Sequence, residues 1–507
     1  MIITGDKTVY SLIQEKAEQH PNKIFLYYQD ETITYEQLLY RVRQTGHLLK
    51  SKGVKKGDKI AILLNNCPEF YDLWFGCCAI GAVLVPINTA STPYEIKYFL
   101  EHSDSVGFFS ENQLLTNAVK QLDAINRLSF VETVEDNWSE TLNQFDSIAL
   151  NEAIQYDDVC CMMYTSGTTS KPKGVEITNQ NYIFAGETSI HYQWLKPSDR
   201  YLIFLPLFHA NSQYYTTMAS LTVGCSIVLQ KKFSSSTFWD DVNKYKPTVS
   251  SFVATIIKML LQNEAHPIER NHSLRQAGYG LFVTFNELEQ FEERFGVKLF
   301  QWYGMTETIT TSIVTPIHEK RIRDKHTGIV PIGKPALSHE VKIVDDYGNE
   351  VKPGEVGEII VKSPSLMKGY YKNEQATAET IRDGWLYSGD NGYYNHSGYI
   401  WFVDRNKDMI KRAGENISSL EVENVIRDHP SVEDCAVIAA PDHLREETVV
   451  AYIKILDNKT LTKEDIDVFC KERLSYFKVP QLYRFIDKFP RTSIGKIQKN
   501  LLREMLE

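Results

Sequence analysis

The chain has 507 residues, 43% of them hydrophobic and 24% charged, a balance that excludes a mainly disordered protein, a collagen and a coiled-coil rod. Its 55 Lys and Arg against 65 Asp and Glu leave a formal charge of −10, and so acidic a chain lacks the basic footprint of a general nucleic-acid binder. At about 150 residues per domain, the length predicts roughly three domains or subdomains. In chain order, the N-terminal Met1–Lys7 stretch lacks the basic-then-apolar run of a signal peptide. Thr34 followed by Gln37 predicts a capping-box helix start, with Leu38, Val42 and Leu49 on one face and Gly53 and Gly57 beyond the end. Lys59–Leu64 reads as a buried strand, Pro68–Ile80 as a helix and Val83–Pro86 as the next strand. Helices between buried strands imply parallel pairing in an α/β sheet.

The longest apolar stretch, around Phe75–Val85, contains glycines and stops at Pro86, well short of the ~18 residues of a membrane helix. The strand–helix alternation recurs from Tyr201 to Gln301: strand Tyr201–Leu205, helix near Gln213–Leu221, strand Ser226–Leu229 and helix near Phe238–Tyr245. Between Pro331 and Tyr399 the texture changes to short β runs separated by glycine. Val341–Val344, Gly357–Val361 and Tyr399–Val403 read as antiparallel strands of a small barrel or sheet. From Asp408 a compact α+β pattern follows: helix Ser419–Asp428, strands Cys435–Ala440 and Thr448–Leu456, helix Lys463–Leu474 capped by Thr462, and strand Tyr483–Ile486. The expected division is a large body over residues 1–405 and a small C-terminal lid over 406–507. Eight cysteines are too sparse for a disulfide framework and form no CxxC, so they read as reduced, mostly buried thiols of a cytoplasmic protein.

The segment richest in chemistry is Tyr164-Thr-Ser-Gly-Thr-Thr-Ser-Lys-Pro-Lys-Gly174. Thr165, Ser166, Thr168, Thr169 and Ser170 offer hydroxyl donors, and Lys171 and Lys173 add positive charge. Gly167 and Gly174 would let backbone N–H groups turn toward an anion. The apolar run Val159–Met163 before it reads as a strand, so the loop would leave a sheet edge. These residues predict a phosphate cradle, and Val175 after Gly174 distinguishes it from a Walker A loop.

This loop resembles the phosphate-binding signature of the adenylate-forming superfamily, which comprises acyl-CoA synthetases, luciferase-like enzymes and peptide-synthetase adenylation domains. The resemblance continues in order along the whole chain. Leu205-Pro-Leu-Phe-His209 alone reads as an ordinary strand end; the resemblance implies that the His209 ring gates the carboxylate-substrate pocket. Amino-acid-activating members carry an aspartate just after that ring, where this chain has Ala210. Gln301-Trp-Tyr-Gly-Met-Thr-Glu307 resembles the nucleotide and metal motif, implying that Tyr303 stacks on adenine, Thr306 bonds the α-phosphate and Glu307 holds Mg²⁺. Upstream, Gly278-Tyr-Gly-Leu-Phe-Val283 departs from the family's Gly-Gly-Ala-Pro-like turn, which leaves the adenine contacts open and would narrow the acyl pocket.

The remaining motifs follow in order. Asp390, in Trp385–Asp390, takes the place of the family's ribose-binding aspartate. Arg405 matches an arginine that contacts ribose or phosphate, and Lys407 falls at the hinge. Gly414, in Gly414-Glu-Asn416, matches the loop that borders the pantetheine channel. Lys496, in Pro490–Lys496, matches the lysine that joins the site when the lid closes. Locally, Asn66–Phe70, Phe208-His209, Glu293–Gly296 and Tyr303–Ile309 look like the crotonobetaine/carnitine-CoA ligase subgroup.

The implied fold is a large N-terminal body of stacked α/β subdomains with a small β-barrel-like part, followed by a small mobile α+β lid. The implied activity is ATP-dependent adenylation of a carboxylic acid with release of pyrophosphate, then acyl transfer to coenzyme A with release of AMP. The implied cofactors are ATP, Mg²⁺ and coenzyme A. Two alternatives stand beside it: an adenylation enzyme that loads a carrier protein, and a catalytically silent nucleotide-binding protein. Neither the acid nor the oligomeric state is specified.

Overall fold

The computed structural model describes residues 5–116, 127–135, 137–165, 172–324, 328–405, 408–412, 415–442, 446–492 and 495–506. The chain forms two compact units: Met1–Lys320 with Gly333–Glu340 and Val361–Leu386, and Arg321–Ile332 with Val341–Ile360 and Tyr387–Glu507.

The first unit holds two large sheets. One has seven strands in the order Gly369–Tyr370, Lys173–Thr178, Val159–Thr165, Val83–Pro86, Lys59–Leu63, Ser105–Glu111 and Phe130–Val134. The parallel pairing expected of Lys59–Leu63 and Val83–Pro86 is present. Both faces of this sheet are covered, as parallel sheets require. Ile60 and Ile62 join the apolar cluster on one face, while Ala61 and Leu63 pack on the other with Ile96, Phe99 and Leu100. The second sheet has nine strands; its central run is Lys298–Tyr303, Gln276–Gly280, Val249–Val253, Arg200–Ile203 and Ser226–Leu229, all parallel.

Helices bind both sheets into one apolar cluster that includes Ile60 and Ile62 of the first and Tyr201, Ile203 and Ile227 of the second. The helix Tyr35–Ser51 starts at the Thr34–Gln37 capping box, as expected. The helix Pro68–Ile80 starts with its proline in the first turn, where the missing N–H costs nothing. It ends at Gly81, whose φ of 72° is the left-handed cap that glycine adopts without strain. Its residues are buried all round the helix, apart from Glu69, because nearly all are apolar and the one buried charge, Asp72, pairs with Arg41. Full burial of one such side chain, Phe75 for example, is worth about 1.5–3 kcal/mol.

Three expectations need correction. The phosphate loop does not leave a sheet edge, because Val159–Thr165 lies inside the sheet and pairs antiparallel with Lys173–Thr178. The strand after Arg200 stops at Ile203 rather than Leu205. The Leu205 carbonyl accepts instead from the side chains of Asn66 (3.0 Å) and Ser212 (2.9 Å). The helix expected near Gln213 begins as a π-helix over Asn211–Thr217 and becomes α-helical only over Met218–Val223. There the Thr216 and Thr217 hydroxyls both donate to the Ser212 carbonyl at 2.7 Å, which stabilises the wider turn.

Trp385–Tyr394 pairs antiparallel with Ile400–Arg405 in a sheet that also contains Glu340–Val344 and Gly357–Lys362. The C-terminal part is α+β, as its sequence predicts. Val432–Asp442 and Glu446–Ile455 form a long antiparallel pair, joined by Leu482–Phe485 and Ile410–Arg412. Helices Ser419–Arg427 and Lys463–Lys471 pack on this sheet through Val422, Ile426 and Ile466. Among the described residues, no helix is long and apolar enough to cross a membrane.

Candidate active site

In the first unit, the site assembles where Val159–Thr165 and Lys173–Thr178 meet the turn after Lys298–Tyr303. Thr165 and Lys173 lie opposite each other as the last register pair of their strands. Ser166, Gly167, Thr168, Thr169, Ser170 and Lys171 lie outside the described residues. Gly174 is strand rather than an N–H turn: a Cβ there would stand 2.7 Å from Met162 Sδ, so the glycine admits a buried neighbour.

The Tyr-Gly-x-Thr-Glu motif forms a tight turn. Gly304 is required, since a Cβ would fall 2.7 Å from the Thr310 carbonyl oxygen and 3.1 Å from the Tyr215 hydroxyl. The Thr308 hydroxyl accepts from the Met305 N–H at 3.0 Å, within a 3₁₀ turn over Thr306–Thr308. Tyr303 and Thr306 stay half-buried, whereas Glu307 is only 6% exposed.

A residue without any spacing signal joins these parts. The Tyr370 hydroxyl donates to Glu307 Oε1 at 2.8 Å, and Lys173 Nζ sits 4.6 Å from the Tyr370 ring centroid. The Met367 N–H donates to the Glu307 carbonyl at 2.9 Å, and Gly369–Tyr370 pairs antiparallel with Glu176 and Val175. One ring thus spans the end of the phosphate loop and the acidic residue of the nucleotide motif. The carboxylate is oriented by a neutral donor, and the ammonium is held by a cation–π contact.

His209 closes the segment Leu205–His209, which Asn66 clamps: Asn66 Oδ1 accepts the Leu207 N–H at 2.8 Å. Burial pushes the His209 imidazole down to about 4, so the ring is uncharged at neutral pH. The string containing Asn66 was legible in the sequence, but its clamp on a segment about 140 residues away was not.

In the second unit, Asp390 and Arg405 are direct cross-strand partners, with Arg405 Nε 3.4 Å from Asp390 Oδ1. Asp390 lies within the strand rather than in a turn at its end, and it is 8% exposed. Lys407 and Gly414 lie outside the described residues. Lys496 stands on a hairpin closed by the Arg491–Ile497 bridge, with the Thr492 N–H donating to the Lys496 carbonyl at 2.8 Å. Arg491 anchors one side of the hairpin through Asp434 Oδ2 at 2.5 Å. Lys499 anchors the other through Ser419 Oγ at 2.6 Å and Glu423 Oε1 at 2.7 Å. Burial alone would lower the Lys499 pKa, but Glu423, Asp404 and Asp408 more than reverse this and raise it.

Among the described residues, no three His, Cys, Asp or Glu side chains gather to hold a metal. A single buried carboxylate such as Glu307 fits Mg²⁺, which takes one or two carboxylates and completes its shell with substrate phosphates and water.

Comparison with known proteins places this geometry. The AMP-binding enzyme model matches residues 13–371, and the AMP-binding enzyme C-terminal domain model matches residues 421–496. The chain belongs to the AMP-binding enzyme family. Within the family it is similar to the crotonobetaine/carnitine–CoA ligase of Citrobacter koseri, at 35% identity over 99% of this chain and 100% of the relative. It also resembles two solved family structures. One is the anthranilate CoA ligase AuaEII with anthranoyl-AMP, with a TM-score of 0.90 and 25% identity over 99% of this chain and 97% of that one. The other is o-succinylbenzoate CoA synthetase (MenE) from Bacillus subtilis with its acyl-adenylate intermediate, with a TM-score of 0.87 and 31% identity over 98% of both chains.

Proposed function

We propose that this protein is an ATP-dependent acid–CoA ligase, and the contact chain Lys173–Tyr370–Glu307 carries that reading. It brings a phosphate-directed cation and a metal-directed carboxylate into one site of one compact unit. The acid's carboxylate oxygen attacks the α-phosphorus of ATP and pyrophosphate leaves. The coenzyme A thiol then attacks the activated carbonyl and AMP leaves.

In the first step two anions approach each other and charge builds on the phosphate oxygens. Thr165, Ser166, Gly167, Thr168, Thr169 and Lys173 are assigned to those oxygens, and Thr306 to the α-phosphate. Tyr303 takes the adenine face, Asp390 the ribose hydroxyls, and Arg405 the ribose or phosphate. Glu307 would hold Mg²⁺, which when bound neutralises phosphate charge and orients the triphosphate. The uncharged His209 ring borders the acid and adds no cation to compete for its carboxylate. Lys496 supplies an ammonium to the adenylation transition state. The lid, residues 406–507, turns about Lys407 to bring the Gly414 loop in for thioester formation. The likeness to crotonobetaine/carnitine–CoA ligases supports a small or betaine-like acid. None of the eight cysteines is joined in a disulfide, which supports a reducing, cytoplasmic setting.

The test is a carboxylate panel assayed for pyrophosphate, with and without coenzyme A. Acid-dependent pyrophosphate with CoA ester and AMP is expected. Adenylate that accumulates beside unused coenzyme A would point to a carrier protein as acceptor. No acid-dependent pyrophosphate from folded protein would leave only nucleotide binding.

Tyr370→Phe is expected to raise the half-saturating Mg²⁺ concentration about 10–100-fold, because it removes the donor that orients the metal-directed carboxylate. Calorimetric titration of Mg²⁺ into the protein–ATP mixture reads this directly. An unchanged Mg²⁺ midpoint would remove Tyr370 from that role.

A further inference from the structure

We infer that Trp302 closes the acid pocket from behind and restricts this enzyme to short acids; this rests on the ligase reading above. Successive strand residues point to opposite faces, so Trp302 and the adenine-directed Tyr303 face opposite ways. A Cβ built on Gly278 would lie 2.2–2.7 Å from three ring carbons of Trp302, and one on Gly280 would lie 3.7 Å from its Nε1. The indole therefore occupies the volume that a side chain at Gly278 would fill and reaches ordinary contact distance of Gly280.

Trp302 is locked there. The Tyr215 ring lies 5.1 Å away and the Tyr192 ring packs edge-on at 6.4 Å. The Tyr192 hydroxyl is itself fixed by Ser189 at 2.8 Å and Thr311 at 2.9 Å. The Trp302 side chain is buried, with 5% of the residue exposed. Tyr215 belongs to the π-helix that follows His209, and its hydroxyl approaches Gly304 in the nucleotide turn. An acid whose carboxylate meets the α-phosphate beside Thr306, with its tail on the His209 side, runs past Gly304 onto Tyr215 and Trp302. Its length is then limited by the indole, because a close-packed wall yields little to added methylenes.

The test compares kcat/KM for CoA ester formation across two homologous series: straight-chain acids from acetate to decanoate, and trimethylammonio acids of matching backbone length. In whichever series is used, the wild type is expected to peak at or below the butyrate backbone. Beyond the peak, kcat/KM should fall by about 10-fold or more per methylene. Trp302→Gly is expected to move the peak to longer acids by at least two methylenes, and Trp302→Phe to move it less. A wild-type peak at the octanoate backbone or longer would overturn the inference. So would a folded, active Trp302→Gly or Trp302→Phe whose peak stays where the wild type has it. If Trp302→Gly does not fold, the wild-type profile and Trp302→Phe still decide. Activity with no acid in the broader carboxylate panel would bring down the ligase reading itself, a result distinct from a long-chain preference.

Discussion

Lys496→Ala is expected to lower the rate of adenylate formation by about 10²–10³-fold, the range seen when one preorganised charge-stabilising donor is removed. Thioester formation from preformed acyl-adenylate and coenzyme A should survive within a few-fold. The asymmetry follows from the chemistry. Pentavalent phosphorus gathers negative charge only in the first step, whereas the second breaks an acyl–oxygen bond whose phosphate is already formed. The variant should fold, because backbone hydrogen bonds and the Arg491 and Lys499 anchors hold the hairpin without the Lys496 side chain. Pyrophosphate release and single-turnover consumption of synthetic adenylate read the two steps separately. Equal loss in both would remove the assigned role from Lys496.

Glu307→Ala is expected to raise the Mg²⁺ requirement of adenylation by on the order of 10²-fold, above the effect of losing a supporting donor alone. The variant removes both the carboxylate and the acceptor of the Tyr370 hydroxyl, leaving that phenol to find water or go unsatisfied. Glu307→Gln keeps an oxygen for Tyr370 but removes the negative charge, so it separates the two contributions. A Gln variant with wild-type Mg²⁺ dependence would assign Glu307 to holding the turn rather than the metal. Carrying both variants in the Tyr370→Phe background would show whether the two residues act as one unit: coupled effects fall short of additivity, and independent ones add.

Much of the fold was readable because its cues are local. Pro68 and Gly81 bracket a helix whose apolar residues run all round it, and the Thr34–Gln37 pair states where another begins. One turn was readable for a related reason. Tyr303–Glu307 is a contiguous string whose 3₁₀ turn over Thr306–Thr308 is closed by neighbours in sequence. Local cues failed where a distant group took over a backbone atom. The strand after Arg200 ends early because Asn66 and Ser212 capture the Leu205 carbonyl, and the next helix opens as a π-turn because two threonine hydroxyls converge on Ser212. Periodicity carries neither event.

By itself, the sequence determined most of the order of elements and the turn at Thr306–Thr308, both written in short runs of residues. Only the tertiary structure decided that Tyr370 ties Lys173 to Glu307, that Asp390 faces Arg405 across two strands, and that Trp302 fills the space left by Gly278. These contacts join residues 15 to almost 200 positions apart. Which residues meet over such separations is set by strand order and close packing, quantities that belong to the folded chain as a whole.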